Sequence, residues 1–332
     1  MRAARVSLTR VSFADADYPA LPYPGARPPC SFAHLDGTGH PLTPDPTALA
    51  GWRLGGEDLD GWLADRGAAP LAGRVPLLCY GSNACPAKLT WLRATLGLTG
   101  PAVLLRARCT GLAAVWAAGL RVVDDQRPAT LAALPGAETH AIWLATPDQF
   151  AVLDRCEGRG DRYRLAHLTT GEVRLEDGTL VERPLAYVAN SHPATARTNR
   201  FPLLVDGRPV RCTDVPQAAA AALDGVPAAS DGLALLVVDG VPVPDDSPRR
   251  LFVPGTLRPG AAHWPMLAPH VTGEPRRARL PGTGADGWLV ELARTALLST
   301  VDESEGAGNR RVRVTLEGGT QAWTYVPTGP SR

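Results

Sequence analysis

The chain has 332 residues, with 34 Lys and Arg against 33 Asp and Glu, for a formal charge of +1. That balance leaves no electrostatic footprint for nucleic acid or for an anionic membrane. Hydrophobic residues at 45% support a sizeable core, while 34 Gly and 32 Pro point to many turns and away from a helical bundle.

Residues 1–74 read as an irregular N-terminal extension. RVSLTRVSF has the pattern of one strand, and PALPYPGARPPC that of an extended proline-rich run. EDLDGWLADRGA predicts a short helix with Trp62 and Leu63 facing inward. No clean period runs through the segment, which is placed to wrap a neighbouring domain or to lie over its mouth. The N-terminus lacks a continuous apolar run, so no signal peptide is expected. No stretch reaches 18 apolar residues, so no transmembrane helix is expected either. The six cysteines, Cys30, Cys79, Cys85, Cys109, Cys156 and Cys212, form no CxxC pair and read as free thiols. The expectation is a soluble, cytoplasmic protein.

A first organised module spans 75–230. VPLLCY predicts a buried strand ending at Gly81. The loop GSNACPAK follows, then a helix from Pro86 to Leu96, with proline suited to its first turn. Strands are predicted over 102–109, 113–120 and 140–145. TPDQFAVLDRC carries the clearest helix signal. Thr146 and Gln149 make a capping box, Pro147 suits the first position, and Glu157-Gly158 ends it. Strands over 162–170 and 183–190 follow, then a helix over 215–223.

A second, shorter module occupies 231–332 and repeats this grammar. LLCYGSN lies against LFVPGTL, and WLATPDQFAVLDRCEG against WLVELARTALLSTVDESEG. RYRLAHLTTGEVRLEDG and PLAYVAN have counterparts in NRRVRVTLEGG and QAWTYV. The order is the same and both copies keep Asp-x-x-Glu-Gly, which reads as a tandem duplication. The second copy is shortened by one or two strands, and Pro254 stands where the first has Tyr80.

Two places could carry chemistry. The loop Tyr80-Gly81-Ser82-Asn83 lets the chain turn tightly before a helix, aiming backbone N–H groups at one spot suited to a carboxylate. Its plain reading is an ordinary strand-to-helix connection. Glu157 ends a helix, where the dipole disfavours its charge and tends to raise its pKa. Its plain reading is a solvated helix terminus. The seven histidines form no H-E-x-x-H, no G-x-S-x-G is present, and PGTGADG lacks the Lys-Ser/Thr of a phosphate loop.

Taken together, strand-YGSN-helix and the downstream LDRCEG with Tyr163 resemble the gamma-glutamylcyclotransferase family. VPGTLRPG at 253–260 resembles the YGTLRPG form of the same superfamily. The resemblance covers 75–190 well and 250–326 in part. It implies a mixed α+β, barrel-like fold, present twice with the second copy truncated and non-catalytic. It implies that Tyr80, Gly81, Ser82 and Asn83 hold a substrate carboxylate, that Tyr163 lines the pocket, and that Glu157 is the general base and acid. The activity implied is cyclisation of a small-molecule gamma-glutamyl amide to 5-oxoproline, with no cofactor, metal, nucleic acid or membrane. Monomer and homodimer both remain open. The competing reading is an inactive carboxylate- or peptide-binding module on the same fold.

Overall fold

The computed structural model describes residues 11–328, apart from 46, 49, 191–198, 245–248 and 294–296 and the side chains of 297 and 299. Most of the strand read in RVSLTRVSF therefore lies outside the described residues. Among the described residues, no helix is long and apolar enough to cross a membrane.

The first sheet is built from strands β1 (Phe32–Leu35), β2 (Thr38–Pro44), β3 (Val75–Cys79), β4 (Ala102–Thr110), β5 (Ala137–Ala145), β6 (Tyr163–Leu168), β7 (Leu185–Ala189) and β8 (Leu235–Val237). Their order is β8-β6-β7-β3-β5-β4-β1-β2, continued by the short strands Trp52–Leu54 and Glu57–Asp58. β3 and β7 run parallel, with Leu77 opposite Leu185, and β5 lies between β3 and β4, antiparallel to both.

The barrel-like closure implied by the family resemblance does not form. The strand path is open, with β8 at one end and Glu57–Asp58 at the other. The reason lies at the free edge of β4. Phe32–His34 pair with its first half and Glu172–Leu175 with its second, so its backbone groups are satisfied without a closing strand. One of the two, Phe32–Leu35, comes from the stretch read as irregular. Residues 13–58 hold five strands, and Leu59–Ala64 form a short helix capped by Asp58 with Trp62 and Leu63 buried.

Each face of the sheet has its own core. One joins Leu78, Val103, Leu105 and Ile142 to Trp52, Trp62 and Trp116. The other joins Leu77, Leu104, Trp143 and Leu165 to two helices, α1 (Pro86–Leu96) and α2 (Pro147–Glu157). Helix α2 forms by the signals read in its sequence. Thr146 Oγ1 accepts from the Gln149 N–H and the Gln149 side chain accepts from the Thr146 N–H, both at 3.3 Å. Gly158 ends the helix in the left-handed region, with φ 66°. Trp143 Nε1 also donates to Gln149 at 3.1 Å, which ties the cap into the core.

A second sheet holds β9 (Arg250–Val253), β10 (Val271–Leu280), β11 (Ala285–Leu292), β12 (Asn309–Thr315) and β13 (Gln321–Pro327), with helix α3 (Leu297–Glu305) between β11 and β12. Its order, β10-β11-β9-β13-β12, matches β4-β5-β3-β7-β6 of the first sheet. β9 and β13 are parallel, with Leu251 opposite Trp323, as Leu77 is opposite Leu185. Among the described residues this sheet has no counterpart of the hairpin Ala113–Trp116 with Ala129–Ala132, which lies between β4 and β5 in the first. Residues 235–237, read as the opening of the second module, are instead the edge strand of the first sheet, paired with β6. The two sheets are joined by Thr179 to Thr315 at 2.7 Å, by Arg313 Nη2 to the Arg74 carbonyl at 2.9 Å, and by Arg250 bridging Glu182 and Glu291.

Candidate active site

The loop after β3 is built as its sequence suggests. Ser82–Ala84 make a single 3₁₀ turn and Pro86 opens α1. The first N–H groups of such a turn have no partner within it. Among the described residues, no backbone acceptor takes the N–H of Gly81, Ser82 or Asn83.

The carbonyl side of the loop is held from the N-terminal extension. Arg27 Nη2 donates to the carbonyls of Tyr80 at 2.6 Å and Gly81 at 2.9 Å. Tyr23 packs alongside. A Cβ on Gly81 would meet its hydroxyl at 3.2 Å, and that hydroxyl accepts from the Ala129 N–H at 3.0 Å. Tyr23, Arg27 and the 113–132 hairpin therefore enclose the loop together. Sequence reading placed none of these residues at the site. The only local signal is the proline-rich run around them, which specifies an extended path but not its destination.

Glu157 meets the loop directly. Asn83 Nδ2 donates to Glu157 Oε1 at 2.8 Å, which brings two sequence-predicted residues 74 positions apart into one site. Asn83 Oδ1 is buried with no hydrogen-bond partner among the described residues. Burial pushes the Glu157 carboxyl above the usual glutamate range, opposed by the Asn83 hydrogen bond and by the charges of Lys88, Arg162 and Arg121. Arg162 does not pair with the carboxylate. Its Nε donates to the Glu157 carbonyl at 3.1 Å and its Nη2 to the Cys156 carbonyl at 2.8 Å, satisfying the helix end. The carboxylate is thus held by a neutral amide and left free of an ion pair among the described residues.

Tyr163 is buried, and burial raises its hydroxyl to about 12, with the Arg200 guanidinium acting against the shift and Glu157 reinforcing it. Burial raises the hydroxyls of Tyr23 and Tyr80 as well, with Tyr163 and Glu157 adding to the shift. Tyr80, read as a substrate ligand, has its hydroxyl committed elsewhere. It donates to the Tyr187 carbonyl at 2.5 Å. The Tyr187 hydroxyl donates in turn to Asp154 at 2.7 Å, one helical turn before Glu157, and Arg159 takes the other Asp154 oxygen at 3.0 Å. A continuous chain of hydrogen bonds thus fixes the loop relative to the end of α2. Tyr187→Phe is expected to cost about 1.5–3 kcal/mol, the usual worth of a hydrogen bond to a charged group. Urea unfolding with an unchanged m-value checks this.

The second sheet keeps this anchor. Tyr325 donates to Asp302 at 2.7 Å, and Arg311 pairs with Asp302 at 3.2 Å. The surroundings differ. Pro254 has no N–H to offer where Tyr80 stands in the first sheet, and the Glu305 carboxylate is taken by its local neighbour Asn309 at 3.0 Å.

No protein-family model matches the sequence, and no curated protein matches it. Among solved structures the chain is similar to an uncharacterized protein from Homo sapiens, at 16% identity and a TM-score of 0.30, over 36% of this chain and 68% of that one. It is also similar to YkqA from Bacillus subtilis, at 13% identity and a TM-score of 0.28, over 45% of this chain and 55% of that one. Likeness at this level carries no functional inference.

Proposed function

We propose that the chain cyclises a gamma-glutamyl amide to 5-oxoproline and releases the amine, in the manner of a gamma-glutamylcyclotransferase, with Glu157 as general base and acid. The observation that carries this reading is the 2.8 Å contact between Asn83 and Glu157. It sets a carboxylate of raised pKa, with no ion pair among the described residues, beside a loop whose N–H groups have no backbone acceptor among them. The loop N–H groups of Gly81, Ser82 and Asn83 take the substrate α-carboxylate, and Tyr163 lines the pocket. Glu157 removes a proton from the α-amino group, whose nitrogen attacks the γ-carbonyl and closes a five-membered ring. The tetrahedral oxyanion then collapses, the bond to the leaving amine breaks, and Glu157 returns the proton to that amine.

The second sheet is read as non-catalytic. Among its described residues it lacks the hairpin that helps enclose the loop, and it presents Pro254 and a Glu305 already engaged by Asn309. The test is 5-oxoproline release, followed by mass spectrometry, from gamma-glutamyl amino acids, gamma-glutamyl amines and glutathione. The proposal also sets the pH profile. Glu157 must be ionised to act as base, so kcat/KM is expected to rise with pH through a pKa above the usual glutamate range. A profile already flat from ordinary carboxylate pKa values upward would remove Glu157 from that role. The open loop donors would also suit a carboxylate-binding module without turnover. Saturable binding of a gamma-glutamyl compound with no release would decide for that reading.

A further inference from the structure

Among the described residues the half-buried Arg27 forms no ion pair, and its Nη2 serves the two loop carbonyls. A guanidinium taken from water in this way ordinarily has an anionic partner.

The same side chain lines a separate cavity of about 180 Å³, between the 27–32 segment and the β4–β5 pair. Arg106 of β4 lines it too, and among the described residues its guanidinium forms no ion pair. Thr139 and the buried His140 complete the polar wall, while Phe32 and Leu104 supply the apolar part. Glu138, next to Thr139 in sequence, is outside this wall and already committed. Arg211 holds one of its oxygens at 2.5 Å, and His140 Nε2 lies 3.2 Å from the other. The cavity is therefore lined by two arginines, a histidine and a threonine, with no acidic residue in its wall.

We propose that this cavity is a second binding site, for a small carboxylate or comparable oxyanion held between Arg27 and Arg106, distinct from the loop donors of Gly81–Asn83. Guanidinium groups recognise such anions through paired N–H donors at fixed geometry. The volume equals about six water molecules at roughly 30 Å³ each, room for a short organic acid but not for a nucleotide. Because Arg27 also holds the Tyr80 and Gly81 carbonyls, an anion here competes for the guanidinium that braces the loop.

The experiment is calorimetric titration of the full-length chain with sodium acetate and, separately, with inorganic phosphate, at constant ionic strength set by sodium chloride. Saturable binding of either is expected, and which one binds separates a carboxylate from a phosphate source. Arg106→Ala is expected to weaken it by about tenfold or more, as loss of a charge-assisted contact requires. Arg108→Ala, two residues along on the same exposed face of β4 and outside the cavity wall, is expected to leave it unchanged. Absence of saturable binding for both anions overturns the proposal. So does equal binding in wild type and Arg106→Ala, which would assign the anion to the loop donors. The readout is binding alone, so the outcome is independent of whether the cyclotransferase reading holds.

Discussion

Glu157→Gln is expected to lower 5-oxoproline release by about 10²–10⁴-fold, the usual contribution of a positioned acid or base, while Glu305→Gln stays at the wild-type rate. The substitution keeps the shape and can still accept from Asn83 Nδ2, so lost activity would reflect lost proton transfer and not a rearranged site. Stability provides the internal control. The folded-state pKa of Glu157 is raised. Wild type therefore loses stability as pH rises from the ordinary glutamate range through that higher value, because the folded state holds the proton more tightly than the unfolded chain. Glutamine does not titrate. The Glu157→Gln protein is thus expected to melt above wild type once pH exceeds the Glu157 pKa, with the advantage shrinking towards acid. Thermal melts across pH check this. An inactive variant that melts lower at every pH would point to a structural carboxylate. Loss of activity in Glu305→Gln alone would move the chemistry to the second sheet.

Gly158→Ala is expected to destabilise the chain by about 2–4 kcal/mol. The left-handed conformation costs a residue with a Cβ roughly 1–2 kcal/mol. The new Cβ would also sit 2.7 Å from Arg162 Nε and 2.8 Å from its Nη2. Arg162 would have to leave the carbonyls of Glu157 and Cys156, each hydrogen bond being worth about 0.5–1.5 kcal/mol. Gly97→Ala is the matched comparison. Gly97 ends α1 with φ 73° and would place its Cβ in open space, so only the backbone term applies. Urea unfolding of both variants separates the two terms. Because Arg162 secures the last turn of α2, Gly158→Ala is also expected to reduce turnover where Gly97→Ala does not. Equal losses of stability in the two would show that Arg162 gives way without cost.

What could be read from the sequence was local. The capping box at Thr146 and Gln149, the stop at Gly158 and the tight turn at Gly81 each depend on residues a few positions apart, and each formed as its chemistry dictates. The two sheets share a strand order, with Leu77 opposite Leu185 in one and Leu251 opposite Trp323 in the other.

Contacts at long range were settled only by the tertiary structure. The proline-rich stretch carries no periodicity, so nothing in its pattern says that Arg27 ends on the carbonyls of Tyr80 and Gly81. The same holds for Tyr80, whose hydroxyl could serve a ligand or the backbone until the position of Tyr187 decides it. The closed barrel failed for a related reason. An edge strand advertises unpaired backbone groups but does not choose its partner, and at β4 that partner came from residues 32–34 and 172–175. Local propensity acts over a few residues and is written in their order. The partner of a buried cation or a sheet edge depends on which distant segments the folded core brings within reach.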